Sequence, residues 1–309
     1  MKKKLQILAF ASIAVVAIAS CAKEFAPDVA SKADGKVNIN VNALIGELNS
    51  EEGTKAEALP VIRLFWQDND TVAAYCGADY LGKLDVEPSE NRLFATLSGE
   101  IDAPTGSHIT LVHSNVKPTI NDGALDFDIA RQDSVAFPFV IYGGLDCTPA
   151  SGGKETISDK IVSFDFATSL IRVAVTGLEE DYPIDSVIIS NVNTVCKLTL
   201  DESAAPRIQG TTVAGTDEGA GQIVKLVKNS TEKSDVRAIF NVCVVQQEEV
   251  IPDFDNGFDG RMIDVWTKND WTSEPEGLEY YSPYSSLFTN TPIEIGSSYI
   301  TVCNVGEPA

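Results

Sequence analysis

The chain has 309 residues, of which 45 are acidic and 23 are basic, so its formal net charge is −22. A surface this acidic repels the phosphates of nucleic acids and of anionic lipid headgroups at short range, which excludes both as main partners. Because 44% of the residues are hydrophobic, the composition indicates a folded protein and excludes an intrinsically disordered one.

The first twenty residues have the three parts of a bacterial export signal. Three lysines follow Met1, residues 5–19 form an apolar stretch, and two small residues come directly before Cys21. An apolar stretch of about 15 residues is too short to cross a bilayer, which takes roughly 20. The pattern resembles a lipobox, so we predict a signal peptide over residues 1–20 and lipidation of Cys21. A plain secretory peptide followed by a structural cysteine is the alternative.

The segment after the signal leads into the clearest strand prediction of the chain. Residues 21–36 are polar and lack a period, which predicts a tether between the lipid and the folded part. Val37, Ile39 and Val41 then alternate with asparagines, so the three branched apolar side chains share one face of a strand. The polar segment that follows contains Lys55, a basic residue in an exposed-looking stretch.

The remainder of the chain has the pattern of short β-strands separated by turns. No long segment shows the 3.6-residue period of a helix. The predicted strands are residues 61–66, 71–75, 92–97, 109–113, 125–129, 135–142, 161–166, 171–176, 186–190, 195–200, 223–227, 236–245, 261–266 and 298–304. The passage 143–153 is rich in Gly and Ser and predicts a boundary between two all-β units, residues 37–147 and 154–309, each long enough for a sandwich.

Five cysteines follow Cys21, an odd number without C-x-x-C spacing, which excludes a zinc ribbon and a dithiol redox motif. Cys196, Cys243 and Cys303 lie within apolar strand-like runs, where we expect them to be buried as small hydrophobic residues. An exported protein permits a disulfide, with Cys76 and Cys147 as the remaining candidates. The sequence leaves the pairing open.

The residues that carry most enzyme chemistry are scarce. His108 and His113 are five positions apart on a predicted strand, so their side chains point to opposite faces and do not form a pair. The chain contains no nucleophile elbow, zinc-protease helix, or phosphate-binding or dinucleotide-binding loop. Asp and Asn oxygens within residues 253–259 lack the spacing of a calcium loop and predict a solvated turn. We therefore expect no catalysis, cofactor or metal.

One stretch near the C-terminus is rich in aromatic residues. Trp266, Trp271, Tyr280 and Tyr281 lie within a polar, proline-containing segment. Aromatic rings displayed on loops stack on sugars or contact a protein partner, so these four residues are candidate ligand-binding residues. The alternative is that the loop folds back over the end of the sandwich.

Several segments resemble the fimbrillin family, the two-domain lipoprotein subunits of type V pili and their relatives. In the first half, Gly53-Thr54-Lys55-Ala56 precedes the segment Trp66–Tyr75, and residues 94–100 are similar to the next strand of the family. In the second half, residues 162–166, 170–178 and 184–189 are similar to the strands that open the second domain. The resemblance implies an all-β fold of two transthyretin-like β-sandwiches.

The same resemblance implies a mode of assembly. In family pilins a trypsin-like protease cuts after a basic residue, the first strand leaves, and a strand of another subunit fills the groove. Lys55 matches the cut site, and Val37, Ile39 and Val41 match the strand that plugs the groove. Arg63 is a weaker candidate, because it lies in a strand-like run. An ordinary edge strand of a monomeric sandwich remains the alternative for residues 37–41.

The sequence thus predicts a structural or adhesive pilus component that is exposed on the outer membrane and lies in a fimbrium when assembled. Its expected partners are other pilus subunits and the outer membrane, held through the lipid on Cys21. The alternative is a monomeric surface lipoprotein that binds host or microbial glycans or proteins through the aromatic segment.

Overall fold

The computed structural model describes residues 36–50, 63–103, 107–133, 137–147, 155–176, 184–212, 223–227, 237–248, 262–268, 278–281 and 292–304. Within these ranges all the secondary-structure elements are β-strands, which confirms the all-β prediction. The same ranges contain no helix with the length and hydropathy that a membrane crossing needs.

The strands of the described ranges are numbered in chain order. Their bounds are β1 (Lys36–Ile45), β2 (Asn49–Ser50), β3 (Thr71–Cys76), β4 (Asp79–Pro88), β5 (Phe94–Asp102), β6 (His108–Ser114), β7 (Thr119–Asn121), β8 (Ala124–Asp128), β9 (Arg131–Asp133), β10 (Val140–Asp146), β11 (Glu155–Phe166), β12 (Ser169–Thr176), β13 (Ile184–Ser190), β14 (Val195–Thr199), β15 (Arg207–Thr211), β16 (Ile223–Val227), β17 (Arg237–Val244), β18 (Met262–Lys268), β19 (Leu278–Tyr281) and β20 (Ser297–Asn304).

Seven strands close into a barrel in the order β1, β11, β10, β6, β3, β4, β5. β1 runs antiparallel to β5, from Lys36 opposite Asp102 to Leu44 opposite Phe94, and parallel to β11 on its other side. Because both edges of β1 are paired, it is an interior strand of the barrel and not the edge strand of an ordinary sandwich. The first predicted sandwich is therefore closed by its strand pairing.

The barrel core confirms the alternation predicted for β1. Val37, Ile39 and Val41 are each at most 5% exposed, whereas the asparagines between them are half-buried or exposed. The apolar cluster that surrounds them includes Ala43, Ile45, Leu64, Trp66, Leu84, Leu97, Ile101, Ile109, Leu111, Phe139, Ile141, Val162 and Phe164. The side chains of β1 thus alternate between the barrel core and the solvent, and β1 lies between β5 and β11 in the barrel.

The second half of the chain builds most of three further sheets. Their strand orders are β17-β12-β20-β2, β19-β18-β13-β16-β9 and β15-β14-β8-β7. A second apolar cluster combines residues of the first two of these sheets, including Ile171, Val173, Val175, Val187, Ile189, Val224, Leu226, Phe240, Val242, Val244 and Ile263.

The strands of the two halves interleave, which differs from the predicted boundary between residues 147 and 154. β11 was predicted to open the second unit, but it pairs with β1 and β10 in the barrel. Conversely, β8 pairs with β14, and β9 pairs with β16. Gly143 and Gly144, predicted to lie in the boundary passage, are inside β10. Hydrophobic alternation marks a strand but not its partner, so it does not show which strands of the two predicted units pair with each other.

A third apolar cluster joins the barrel to the neighbouring sheets. Its members come from barrel strands, from β8 and β14, and from β17, and they include Tyr75, Val112, Leu125, Phe127, Ile129, Val140, Cys196, Leu198, Cys243 and Val245. We call this cluster the junction. Apolar contact here fixes the barrel against the β8–β14 pair and the edge of β17.

Candidate functional site

The first candidate site is the place of β1 in the barrel wall. Its backbone groups pair with β5 along one edge and with β11 along the other. Loss of β1 would leave both neighbouring strands with unpaired N–H and C=O groups beside an apolar groove. Such an edge accepts another strand with matching alternation.

β11 depends on β1 for most of its pairing. β11 meets β10 only where Ile141 lies opposite Phe166 and Tyr142 opposite Asp165, whereas it pairs with β1 from Glu155 to Phe164. The β1–β11 ladder is interrupted between Asn40 and Asn42, and Asp159 in the bulging part of β11 has φ of 58°. Bulges leave residues unpaired and weaken a ladder locally. β1 is therefore held more continuously by β5 than by β11.

The chain that follows β1 leaves the barrel and reaches another sheet. The amide N–H of Gly46 donates to the carbonyl of Phe164 at 2.8 Å. Asn49 and Ser50, which form β2, then lie opposite Ser297 and Ser298 of β20 in a parallel pair. Lys55, the predicted cut site, lies outside the described residues, as does Cys21. A cut after Lys55 would separate β1 and β2 together from the rest of the chain.

The chain downstream of that segment is anchored in the barrel by Trp66. Its side chain is fully buried, and its ring centroid lies 5.1 Å from that of His113 and 5.4 Å from that of Phe164. Its backbone N–H donates to the carbonyl of Arg92 at 2.9 Å. The Arg92 guanidinium in turn forms an ion pair with Asp68 at 2.9 Å. The tryptophan and the acidic turn that carried the family resemblance therefore anchor the described chain that begins at Arg63.

Residues 63–66 do not form the strand that we predicted there, and residues 61–62 lie outside the described ranges. Arg63 forms an exposed ion pair with Glu47 at 2.9 Å, so the reason given against it as a cut site, that it lies in a strand, is wrong. Leu64 directly after it is only 4% exposed. A protease needs an extended, accessible chain on both sides of the bond, so the buried side chains after Arg63 disfavour cutting there.

The two histidines point to opposite faces of β6 and have different partners, as predicted. His113 is buried, with Nδ1 3.0 Å from the carbonyl oxygen of Thr71 and Nε2 3.4 Å from Oδ2 of the buried Asp70. His108 lies on the other face, with Nδ1 2.8 Å from Oδ1 of Asp146. Among the residues that the structure describes, no group of His, Cys, Asp and Glu could hold a metal ion.

The cysteines are core residues where the structure describes their side chains. Cys76, Cys196 and Cys243 are buried free thiols, and Cys147 is buried too. Burial raises the pKa of Cys243 to about 12, and it raises the pKa of Cys196 well above its ordinary value. The expectation that Cys196 and Cys243 act as small hydrophobic residues is confirmed. Cys303 lies in β20, but its side chain is outside the described part.

The aromatic candidates lie on paired strands where they are described. Trp266 is in β18, and Tyr280 and Tyr281 are in β19, so the expectation of a loop is wrong for the two tyrosines. The backbone of Trp266 lies opposite that of Tyr280 in the antiparallel pair. Trp271 lies outside the described residues. Tyrosine favours strands, which is the signal that could have placed β19.

Sequence reasoning missed a polar contact at the junction. Nε2 of Gln132 donates to the carbonyl of Cys243 at 2.6 Å, and the N–H of Cys243 donates to Oε1 of Gln132 at 2.8 Å. One buried amide side chain thus pairs with both backbone groups of a residue in β17, as a neighbouring strand would. No spacing or motif around Gln132 indicates this role.

No protein-family model matches the chain, and no curated protein matches it in sequence. Solved structures do match it. A "putative cell adhesion protein" from Bacteroides fragilis has a TM-score of 0.50 and 12% identity, and the match covers 89% of this chain and 94% of that chain. A fimbrilin from Porphyromonas gingivalis has a TM-score of 0.39 and 14% identity, and covers 88% of this chain and 91% of that chain. The tip fimbrial protein Mfa3 of Porphyromonas gingivalis has a TM-score of 0.36 and 10% identity, with 84% and 81% covered.

At 12% identity, the likeness to the Bacteroides fragilis protein shows the fold alone. The chain has the fold of that protein over nearly the whole length of both. The described residues are therefore all-β, with the fold of that adhesion protein.

Proposed function

We propose that this chain is a structural or adhesive component of a type V-like pilus on the bacterial cell surface. It is exported as a lipoprotein, anchored in the outer membrane through Cys21, and acts without catalysis. The fold likeness to a putative cell adhesion protein supports the surface and adhesive role. The observation that carries the proposal is the position of β1, a barrel strand that is paired along both edges and precedes the segment that contains Lys55.

Protease-triggered donor-strand exchange follows from that position. β1 supplies Val37, Ile39 and Val41 to the barrel core, and each fully buried residue of this kind contributes about 1.5–3 kcal/mol. An incoming strand with the same alternation would replace both the apolar contacts and the backbone hydrogen bonds. After a cut at Lys55, β1 is held only by noncovalent contacts. Exchange for a strand of another subunit then costs no net burial.

The experiment is limited trypsin digestion of the purified full chain, followed by mass spectrometry and size analysis. We expect one early cut after Lys55, loss of the fragment that contains β1, and growth of higher-order species. Lys55→Gln should abolish the early cut and the growth together. Arg63→Gln is the matched control, because its basic residue lies directly before buried chain, and it should leave both unchanged.

Three outcomes would contradict the proposal. Lys55 could resist the protease in the wild-type chain, or the cut chain could retain β1 and stay monomeric. Loss of growth in Arg63→Gln with growth retained in Lys55→Gln would move the processing site to Arg63.

A monomeric glycan-binding lipoprotein is the second candidate function. The observation that favours it is the pairing of β18 with β19, which sets Trp266 opposite Tyr280. The alanine variants Trp266→Ala and Trp271→Ala should lose glycan binding in this case, and Lys55→Gln should not. Glycan-array binding of these three variants separates the two functions.

A further inference from the structure

The residues of β1 that face the barrel core differ in size. Val37, Ile39, Val41 and Ile45 are branched, whereas Ala43 carries a single methyl group, and all five are at most 5% exposed. The core around Ala43 is therefore closed to solvent, although Ala43 itself fills little of it. Protein interiors are packed as densely as organic crystals, so side chains of other strands fill the space that Ala43 leaves.

The neighbours of Ala43 on adjacent strands are small as well. Ala43 lies opposite Ala95 of β5 and opposite Val162 of β11. On the other side of β11, β10 contributes the buried Gly143, where an added Cβ would lie 2.6 Å from Cγ1 of Val162. This part of the barrel wall therefore has a glycine or an alanine on β10, on β1 and on β5.

Large rings lie in the core beside these small residues. An added Cβ at Gly143 would lie 3.5 Å from Cδ2 of Phe164, so the Phe164 ring covers this glycine. The fully buried Trp66 ring meets the Phe164 ring edge-on, with the two centroids 5.4 Å apart. The backbone N–H groups of Trp66 and Ile45 donate to successive carbonyls just before β5. Trp66 therefore enters the core beside the end of β1 that carries Ala43 and Ile45.

Ile39 has a different environment on the same face of β1. It lies opposite Gly99 of β5, which has no side chain, and it is only 2% exposed. Ile39 therefore supplies the apolar volume of this cross-strand pair on its own. The inward face of β1 thus combines a large residue opposite a glycine with a small residue near two aromatic rings.

We propose that the groove filled by β1 selects its occupant by size at the position of Ala43. The selection rests on the proposed function, in which a strand of another subunit replaces β1. The partner strand that fits has inward side chains in the order branched, branched, branched, small, branched. This is the order of Val37, Ile39, Val41, Ala43 and Ile45 in β1.

Size selection at Ala43 also fixes the register of the incoming strand. Apolar alternation alone does not fix it, because a shift by two residues leaves the same side chains facing inward. With the order found in β1, a two-residue shift puts either Val41 or Ile45 at the alanine position. Extra methyl groups in a packed core force side chains and backbone to move, so both shifted registers are disfavoured.

The first test exchanges two inward residues of β1 in the full chain. Val41→Ala combined with Ala43→Val keeps the composition but moves the small residue by two positions. We expect the thermal unfolding midpoint to fall by about 5 °C or more, because the exchange leaves a cavity at one position and overpacks the other. Asn42→Leu combined with Leu44→Asn makes the same exchange on the outward face and is the matched control. It should shift the midpoint by less than about 2 °C.

The second test keeps the barrel unchanged and varies the occupant. Labelled peptides of residues 36–50 with the wild-type, inward-exchanged and outward-exchanged sequences are added to the chain after the cut at Lys55 and release of β1. Fluorescence anisotropy measures their binding. We expect the outward-exchanged peptide to bind within about threefold of the wild-type peptide, and the inward-exchanged peptide to bind at least about tenfold more weakly. Because the barrel is the same in all three cases, this result does not require the inward-exchanged chain to fold.

The two tests separate failure of the size selection from failure of the proposed function. Equal unfolding midpoints of the two exchanged chains would overturn the size selection. Equal binding of the three peptides would overturn it too, while leaving strand exchange intact. If the inward exchange destabilises the chain but no peptide binds, the wild-type sequence included, the proposed strand exchange is wrong. The size requirement at Ala43 then stands for β1 itself.

Discussion

The barrel and the three open sheets solve the problem of sheet edges in different ways. The barrel has no edge, because β1 pairs with β5 and β11 and closes the ring. The open sheets end in strands such as β2 and β9, which are two and three residues long, and the edge of β17 is covered at Cys243 by the side chain of Gln132. Short edge strands and side-chain caps limit unwanted pairing.

This difference shows where the molecule can accept a partner strand. An open sheet with covered edges needs no processing to be stable, and it gains little from an added strand. The barrel offers no edge until β1 is removed, and it then offers two edges and an apolar groove at once. Under the proposed function, assembly through the barrel would depend on a single event, the release of β1.

The largest expected effect is on the barrel. Ile39→Asp places a carboxylate in the core position of β1, and an unpaired buried charge of this kind costs at least about 4 kcal/mol. Denaturant unfolding measures the loss, and hydrogen exchange should localise it to barrel strands. Asn40→Asp introduces the same charge at an exposed position of β1 and is the control. Equal effects of the two variants would show that the interior position of β1 is unimportant.

The second-largest effect on stability is expected at the junction, because the junction links the barrel to the open sheets. Gln132→Leu removes the partner of both backbone groups of Cys243, which costs about 2–4 kcal/mol. Exchange of the β17 amides should rise more than exchange in β1. Gln209→Leu, at an exposed position of β15, should change stability by less than about 0.5 kcal/mol. A similarly small effect at Gln132 would mean that the cap on β17 contributes nothing.

A smaller effect is expected where β10 approaches β11. A Cβ added at Gly143 would lie 2.6 Å from Cγ1 of Val162 and 2.9 Å from the carbonyl oxygen of Ser163, and the carbonyl belongs to the backbone. Gly143→Ala should therefore destabilise the chain by about 1–3 kcal/mol. Ser163→Ala, a truncation on an exposed position of β11, is the control for unfolding measurements. A neutral Gly143→Ala would show that β10 and β11 separate freely.

The last prediction concerns the reactivity of the Cys243 thiol, which can be measured without a change in stability. Burial raises the pKa of Cys243 to about 12, so its thiol stays protonated until the pH approaches that value. Labelling of native protein at about pH 8 should leave Cys243 unmodified, and labelling should become fast once the chain is unfolded. Mass spectrometry of the labelled peptides measures this. Rapid native labelling of Cys243 would show that the junction opens often.

The sequence was sufficient for the strands with a clean apolar alternation. β1 and its buried face were predicted from Val37, Ile39 and Val41, and the opposite faces of His108 and His113 follow from their spacing. β4 was missed, because its segment 79–88 is rich in Asp, Gly and Lys. Its Leu81 and Leu84 are nevertheless buried in the barrel core. Alternation is hard to see when the outward positions and the turns share the same polar residues.

The pairing partners of the strands could not be predicted from the sequence, so pairing between strands of the two predicted units was not expected. The apolar residues of β11 predict a buried strand, but whether they face the barrel or the second cluster depends on pairing with β1, far away in sequence. Closure of the barrel and the Gln132 cap are likewise long-range features.

The most direct test of the central claim is hydrogen exchange of the β5 and β11 peptides before and after release of β1 by a cut at Lys55. If β1 closes the barrel as a removable strand, both peptides should exchange much faster once it is gone. A synthetic peptide of residues 36–50 should restore their protection. Unchanged protection of β5 and β11 after β1 has left, or no rescue by the peptide, would contradict the claim.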